Sequence, residues 1–187
     1  MKKPVIIGLA LGAIGAVLLS GKKKEDFKNI KVDIGEATIE PSVRGRIVQI
    51  AANEIGEQNP DKYWSVCLNT PPPYPINWCG GFVLWVLESA GLPRMSEWEI
   101  GTKLIPTTDP LPGDVAWIDL GKSTGPTDTR GHKAIIESVN GDNITTIDGN
   151  QESNAKVAPH YVRRVTRLRS KFSGFFSIDP LIDHANV

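Results

Sequence analysis

Cys79 stands where a proline-rich loop, Pro71-Pro72-Pro73-Tyr74-Pro75, gives way to the apolar run Phe82-Val83-Leu84-Trp85-Val86-Leu87. A helix starting there sets the thiol among unpaired backbone N–H groups, at the positive end of the helix dipole, and both favour thiolate over thiol. An ordinary thiol, with a pKa of about 8.5, is barely ionised at neutral pH. A cysteine nucleophile also needs a base and a group to orient that base. Three later signals follow in a suitable order: Gly113-Asp114-Val115, Gly131-His132-Lys133-Ala134 and Asp148-Gly149-Asn150. His132 is the candidate base, and Asp148 and Asn150 are the candidate orienting groups. Cys79 alone also fits a small, inert core residue; the order cysteine, histidine, carboxylate or amide favours catalysis.

The elements that must position these residues are legible from periodicity. Val43, Ile47, Ile50, Ala51 and Ile55 recur at helical spacing and Gly56 stops the run, which predicts a first helix over 43–55. Residues 57–77 read as a long loop stiffened by prolines. A second helix over 79–90 should bury Phe82, Val83, Val86, Leu87 and Ala90 and end at Gly91. After an irregular stretch, residues 115–118, 133–139, 143–147, 161–168 and 172–178 read as strands, mostly joined tightly enough to be antiparallel. Helices first and sheet second means an α+β fold.

Strand geometry imposes one condition on the site. Side chains alternate faces, so His132 shares a face with Ala134 and Ile136, and Asp148 and Asn150 share one with Ile144 and Thr146. A plain two-residue Asn140-Gly141 turn would pair His132 with Gly149 and send the two orienting candidates to the opposite face. A three-residue loop or a bulge is therefore expected near Asn140-Gly141-Asp142, although Asn-Gly by itself favours two residues.

At 187 residues with 40% hydrophobic content, the chain fits one globular domain and an appendage. Formal charge is zero, but Lys2, Lys3, Lys22, Lys23 and Lys24 hold five of the 21 positive charges and none of the 21 negative ones precede them. The remainder carries 16 against 21, a net of −5. That mildly acidic domain argues against nucleic acid as a partner. Residues 4–21 form an uncharged apolar run between lysines, at the lower limit for spanning a bilayer. A signal peptide is the rival reading; three lysines directly after the run and no clear A-x-A site favour an uncleaved transmembrane anchor, with a secreted protein if the segment is cleaved. Gly8, Gly12, Ala16 and Ser20 share one helix stripe and would permit helix–helix self-association in the membrane. The organisation expected is thus an anchor or signal at 1–21, a juxtamembrane linker at 22–41, a domain at 42–180 and a tail at 181–187. Two cysteines are too few for a disulfide framework, and Cys67 reads as a spare thiol. Glu57, Asn59 and Asp61 alternate oxygens but lack the glycine and terminal carboxylate of a calcium loop; no metal or cofactor is expected.

The pieces IVQIAANEIGE, WCGGFVLWVLESAG, LPGDVAWI, GHKAIIESV and ITTIDGN, in this order, resemble CHAP domains, the cysteine, histidine-dependent amidohydrolase/peptidases of the NlpC/P60-like group. The resemblance covers roughly residues 44–178. It implies a papain-like arrangement, with N-terminal helices packed on an antiparallel sheet, and peptidoglycan as substrate. It also implies Cys79 as nucleophile, His132 as base, Asp148 in the place of an acidic residue and Asn150 in that of the polar orienter. Lys133 departs from the small or apolar residue expected after the histidine, and Asp148 is shorter than the more familiar glutamate.

Trp78, Tyr63, Trp64, Tyr74 and Trp117 are the candidates for lining a glycan or peptide groove. The backbone N–H of Cys79 is the natural oxyanion donor, with Asn77 as a possible second. His160 and His184 are rival bases that read as ordinary surface residues, and Arg163, Arg164, Arg167 and Arg169 as the wet side of a late strand. The leading expectation is a membrane-anchored peptidoglycan hydrolase facing the wall, an amidase or an endopeptidase, of a phage or a bacterium. The alternative is a non-catalytic wall-binding or structural virion membrane protein with the same fold. An intact Cys79/His132 pair favours the first, and a buried Cys79 or an averted His132 the second.

Overall fold

The structure, a computed structural model, describes residues 42–67, 77–119, 121, 131–151 and 160–185. The apolar segment 4–21, its small-residue stripe, the linker 22–41 and Tyr74 lie outside the described residues. Among those described, no helix is long and apolar enough to cross a membrane.

Ser42 caps the first helix, α1 (Val43–Asn53), by accepting from the Gly45 N–H. Its buried stripe is Ile47 and Ala51, with Val43 and Ile50 partly covered. The expected loop 57–77 is interrupted by α2 (Asp61–Cys67). The prolines and asparagines read as loop formers instead set up its start: Asn59 Oδ1 accepts from the Asp61 N–H, and the Tyr63 and Trp64 N–H groups return to Pro60 O. Packing then holds this short helix. Tyr63 is fully buried, stacks on Trp78 at 5.0 Å between centroids and meets Phe82 edge-on at 5.4 Å. Each such pair adds about 1 kcal/mol beyond burial.

The central helix α3 (Cys79–Ser89) buries eight of its 11 residues, the pattern of a helix covered on nearly every side. Phe82, Val83, Val86, Leu87 and Ala90 are all buried, and Gly91, at φ +89°, follows its end. The stretch read as irregular holds α4 (Glu97–Lys103), opened by a capping box between Ser96 and Glu99, and a short strand β1 (Ile105–Thr107). Then follow β2 (Val115–Ile118), β3 (His132–Asn140), β4 (Asn143–Gln151), β5 (Tyr161–Leu168) and β6 (Gly174–Ser177), with a 3-10 turn at Arg169–Lys171 before β6. A last helix, α5 (Asp179–Ala185), runs across the expected domain end at 180. Pro180 suits its first turn, where no intrahelical N–H bond is lost.

The six strands form one antiparallel sheet in the order β1-β6-β2-β3-β4-β5. Val115, Ile135, Ile147, Val162 and Phe176 face the helices in the main core, and Ala116, Ile136, Ile144 and Phe175 form a smaller cluster. The fold is α+β, compatible with the papain-like arrangement.

The Gly113-Asp114-Val115 signal serves this architecture rather than the chemistry. Asp114, 1% exposed, accepts at Oδ1 from Arg44 at 2.7 Å and from the Ile178 N–H at 3.1 Å, and at Oδ2 from the Leu111 N–H at 2.8 Å. Arg44 also reaches Asp179 at 2.6 Å and Pro112 O at 3.0 Å, so one guanidinium ties α1 to the β2 approach and to α5. Its hydrogen bond holds the Asp179 carboxyl below the usual range. Arg44→Met strands the Asp114 carboxylate and is expected to cost about 3 kcal/mol. Urea unfolding checks this; a loss well under 1 kcal/mol would show that the backbone donors suffice for Asp114.

Candidate active site

The turn between β3 and β4 is Gly141-Asp142, with Asn140 paired to Asn143, Gly141 at φ +57°. Continued without interruption, that register would set His132 opposite Gln151 and leave His132 and Asp148 on opposite faces. The register shifts between Ile136 and Ser138, so Glu137 is an extra residue in β3, and beyond it Ile135 pairs with Ile147. Counting on from that pair sets His132 level with Asn150 and Ala134 level with Asp148. The bulge expected near Asn140-Gly141-Asp142 lies earlier, at Glu137; the turn itself is of two residues, and the bulge returns base and carboxylate to one face.

His132 Nε2 lies 2.9 Å from Asp148 Oδ2. The amide of Gln151 lies 3.0 Å from the same nitrogen. Cys79, the first residue of α3, makes a side-chain hydrogen bond with His132 and receives one from the Lys133 N–H. With Nε2 engaged by Asp148, Nδ1 is the ring nitrogen left for the thiol. The three groups are a relay of thiol, imidazole and carboxylate, and all are nearly closed to solvent: Cys79 6%, His132 8% and Asp148 0% exposed.

Burial pushes the Cys79 thiol up, but the bond and charge of His132 and the Lys133 N–H outweigh it and lower the thiol below its ordinary range. Burial pushes the His132 imidazole down, and its bonds to Asp148 and Cys79 more than reverse this, raising it to about 9. Asp148 is pushed up by burial and held below the usual carboxylate range by His132 and Arg167. The resting form this favours is thiolate beside imidazolium.

Two glycines let the elements close on the thiol. A Cβ on Gly149 would stand 2.5 Å from Phe82 Cβ, so β4 lies directly against α3. A Cβ on Gly80 would stand 2.2 Å from the Glu97 carboxyl carbon, so the start of α4 lies against the start of α3. Glu97 in turn holds Lys133, whose ammonium is wholly buried, at 3.0 Å. The unexpected residue after the histidine is thus one half of a buried ion pair beside the nucleophile. Glu97 pushes the Cys79 thiol up while the Lys133 backbone N–H pulls it down, so the two partners act on the thiol in opposite directions.

Other sequence expectations divide. Asn150 does not orient the imidazole: its Nδ2 donates to Asn77 Oδ1 at 3.1 Å. Asn150 is the one non-glycine among the described residues with positive φ, +60°, and the β4–β5 register breaks between Asp148 and Gln151. The left-handed turn of the backbone there aims its side chain at Asn77. Tyr63, Trp78 and Trp117 are buried core residues at 0%, 4% and 8% exposure, and Trp64 is partly buried against the same core, its indole N–H covered. Aromatic residues expected in a groove therefore pack the floor beneath the site. His160 stands ahead of β5 and is not the histidine bonded to Cys79; the His184 side chain lies outside the described ones. The oxygens of Glu57 and Asn59 are spent on the N–H groups that lead into α2. Both cysteines are free, and the Cys67 sulfur turns in toward Gly81, where burial and then Glu97 push its thiol up to about 11. Gln151 and Arg167 were not anticipated in the site; Arg167 donates to Asp148 Oδ2 at 2.7 Å.

The Asn150 conformation makes a separable prediction. Asn150→Ala keeps the left-handed strain without the amide and is expected to be less stable than Asn150→Gly by about 1 kcal/mol. Both lose the bond to Asn77. Equal urea midpoints for the two variants would show that the backbone relaxes instead.

No curated protein matches the chain. The family model of the CHAP domain matches residues 69–150, a stretch that begins ahead of Cys79, includes His132 and Asp148, and closes on Asn150. The geometry and the match fall on the same stretch, and over it the chain is similar to CHAP domains.

Proposed function

We propose that the chain hydrolyses an amide bond of peptidoglycan, as a muramoyl-alanine amidase or a stem-peptide endopeptidase, with Cys79 as nucleophile and His132 as acid and base. CHAP domains suggest peptidoglycan hydrolysis in general. The observation that carries the residue roles is the hydrogen-bonded sequence of Cys79, His132 and Asp148.

In the reaction the Cys79 thiolate attacks the carbonyl carbon, a C–S bond forms, and the carbonyl electron pair moves to oxygen. Trp78 gives α3 no side-chain cap and the first backbone bond of the helix is from Phe82 N–H to Trp78 O. The N–H groups of Cys79, Gly80 and Gly81 therefore have no intrahelical acceptor and can receive the oxyanion. Asn77, held at its Oδ1 by Asn150, keeps its own NH2 as a further donor. Collapse of the intermediate breaks the C–N bond, and the His132 imidazolium protonates the leaving amine. Neutral His132 then takes a proton from water, which attacks the thioester and releases a carboxylate and the thiol. Asp148 stabilises the imidazolium at each stage.

The burial of Cys79 favours the rival reading, a wall-binding protein that keeps the fold. Release of soluble fragments from purified peptidoglycan by the full chain decides between them. Loss of release of at least about 100-fold is expected in folded Cys79→Ala and His132→Ala proteins, and the new chemical ends identify the bond. Binding of several wall types without any release would establish the binding protein instead.

The ion pair also fixes a pH profile. Thiolate requires pH above the lowered Cys79 pKa and imidazolium requires pH below about 9, so kcat/KM should be bell-shaped with its alkaline limb near 9. In Asp148→Asn the imidazolium loses its anion, and that limb should move to lower pH. An unmoved limb would show that Asp148 does not support the reacting histidine.

The apolar run at 4–21 supports attachment of the chain to a membrane. Retention of the full chain on lipid vesicles through an alkaline wash, abolished by deleting 4–21, is the expected result; equal retention without the segment would remove the anchor.

A further inference from the structure

Asp148 has no access to solvent, so both its oxygens must find donors within the protein. Thr146 Oγ1 donates to Oδ1. Oδ2 receives two cationic donors at once, His132 Nε2 at 2.9 Å and Arg167 Nη2 at 2.7 Å. A second arm of the same guanidinium, Nη1, donates to Thr146 Oγ1 at 2.9 Å. Register explains the reach. Arg167 pairs with Ile144 in the β4–β5 ladder and Thr146 with Val165, so Arg167 shares the face of Thr146 and Asp148 and extends along it past one pair. The carboxylate is thus fixed by a fork on one side and read by the imidazole on the other. Arg167 lies beyond residues 69–150, outside the stretch matched by the family model.

We propose that Arg167 is a positioning residue for the Cys79–His132 pair, locking Asp148 in one rotamer and, by sharing the oxygen that His132 uses, limiting how tightly that carboxylate retains the imidazolium proton. An unshared, buried aspartate would bind the proton on His132 strongly and leave a poor acid for the leaving amine. A fixed cation on the same oxygen weakens that hold without removing the anion, because like charges that meet on one acceptor repel. The other groups facing His132 and Asp148 are Cys79 from α3, Gln151 from β4, and Glu97 with Lys133 beside the thiol. None of them touches Asp148 Oδ2 in the way that Arg167 does. The inference rests on Cys79 and His132 as nucleophile and base, but not on peptidoglycan as the substrate.

The test is a titration of the histidine ring signals by NMR in the full chain, which has three histidines, with the His132 signals assigned by their loss in His132→Ala. In Arg167→Gln, which keeps a neutral donor, the His132 midpoint is expected to rise by about one pH unit. Arg167→Lys keeps the charge and loses the fork; it should retain the parent midpoint while rotameric freedom of Asp148 slows alkylation of Cys79 by iodoacetate in a Cys67→Ser background. Should Arg167→Gln fail to fold, Arg167→Lys and Arg167→Met carry the same comparison of charge against shape. Folded charge-removing variants with the parent midpoint and the parent alkylation profile would overturn the proposal, leaving Arg167 as a structural ion pair. A shifted midpoint in a protein that releases nothing from any wall would support Arg167 in this role and sink peptidoglycan as the substrate.

Discussion

One extra residue in β3 decides whether this molecule has a site. A two-residue turn joins β3 to β4, and with that turn alone the alternation of strand side chains would put His132 and Asp148 on opposite faces of the sheet. Glu137 is accommodated as a bulge, the register beyond it changes parity, and base and carboxylate meet. The β4–β5 ladder separately sets Arg167 level with Ile144, on the face of Asp148, which it reaches. Bulges are costly irregularities in a ladder, and this one has a reason that lies four pairs away from it.

The second constraint is closeness. Three elements converge on the first turn of α3, and each approach depends on a missing side chain: β4 at Gly149, α4 at Gly80, and α2 at Gly81, where a Cβ would stand 2.8 Å from Tyr63 O. The packing that results excludes solvent from Cys79, His132 and Asp148 together. Exclusion of water makes each charge expensive alone and each pairing strong. The site answers with alternating signs, thiolate against imidazolium, imidazolium against Asp148, Asp148 against Arg167, and beside them Glu97 against Lys133.

Much of this was legible in the sequence because it depends on residue type and local period. The first helix, expected over 43–55 and found over 43–53, the central helix behind Cys79 and the strands at 115–118 and 161–168 follow from apolar spacing, and a bulge followed from demanding that His132 and Asp148 share a face. What could not be read depends on distant register or on the partner of a side chain. Arg167 looked like one of four arginines on a wet strand; what separates it from Arg164 is the carboxylate its fork reaches, Asp148 for Arg167 and Glu137 for Arg164. The helix at 61–67 is held by stacking of Tyr63 on Trp78, a contact no local pattern announces. For the same reason aromatic residues near the nucleophile read as groove or as core alike, and here Tyr63, Trp78 and Trp117 are core. Asp148 and Asn150 were equal candidates by spacing; the positive φ at Asn150 separates them, sending one amide to Asn77 and leaving the carboxylate to the imidazole.

Aspartate in place of a longer acid is consistent with this arrangement. Asp148 is backed by the fork of Arg167 and the hydroxyl of Thr146, both on the same face of adjoining strands. The acid meets a histidine at 2.9 Å and a fixed cation at 2.7 Å, and the β3 bulge and the β5 register supply the two. In this chain the length of one side chain, the parity of one ladder and the identity of residue 167 are a single coupled choice.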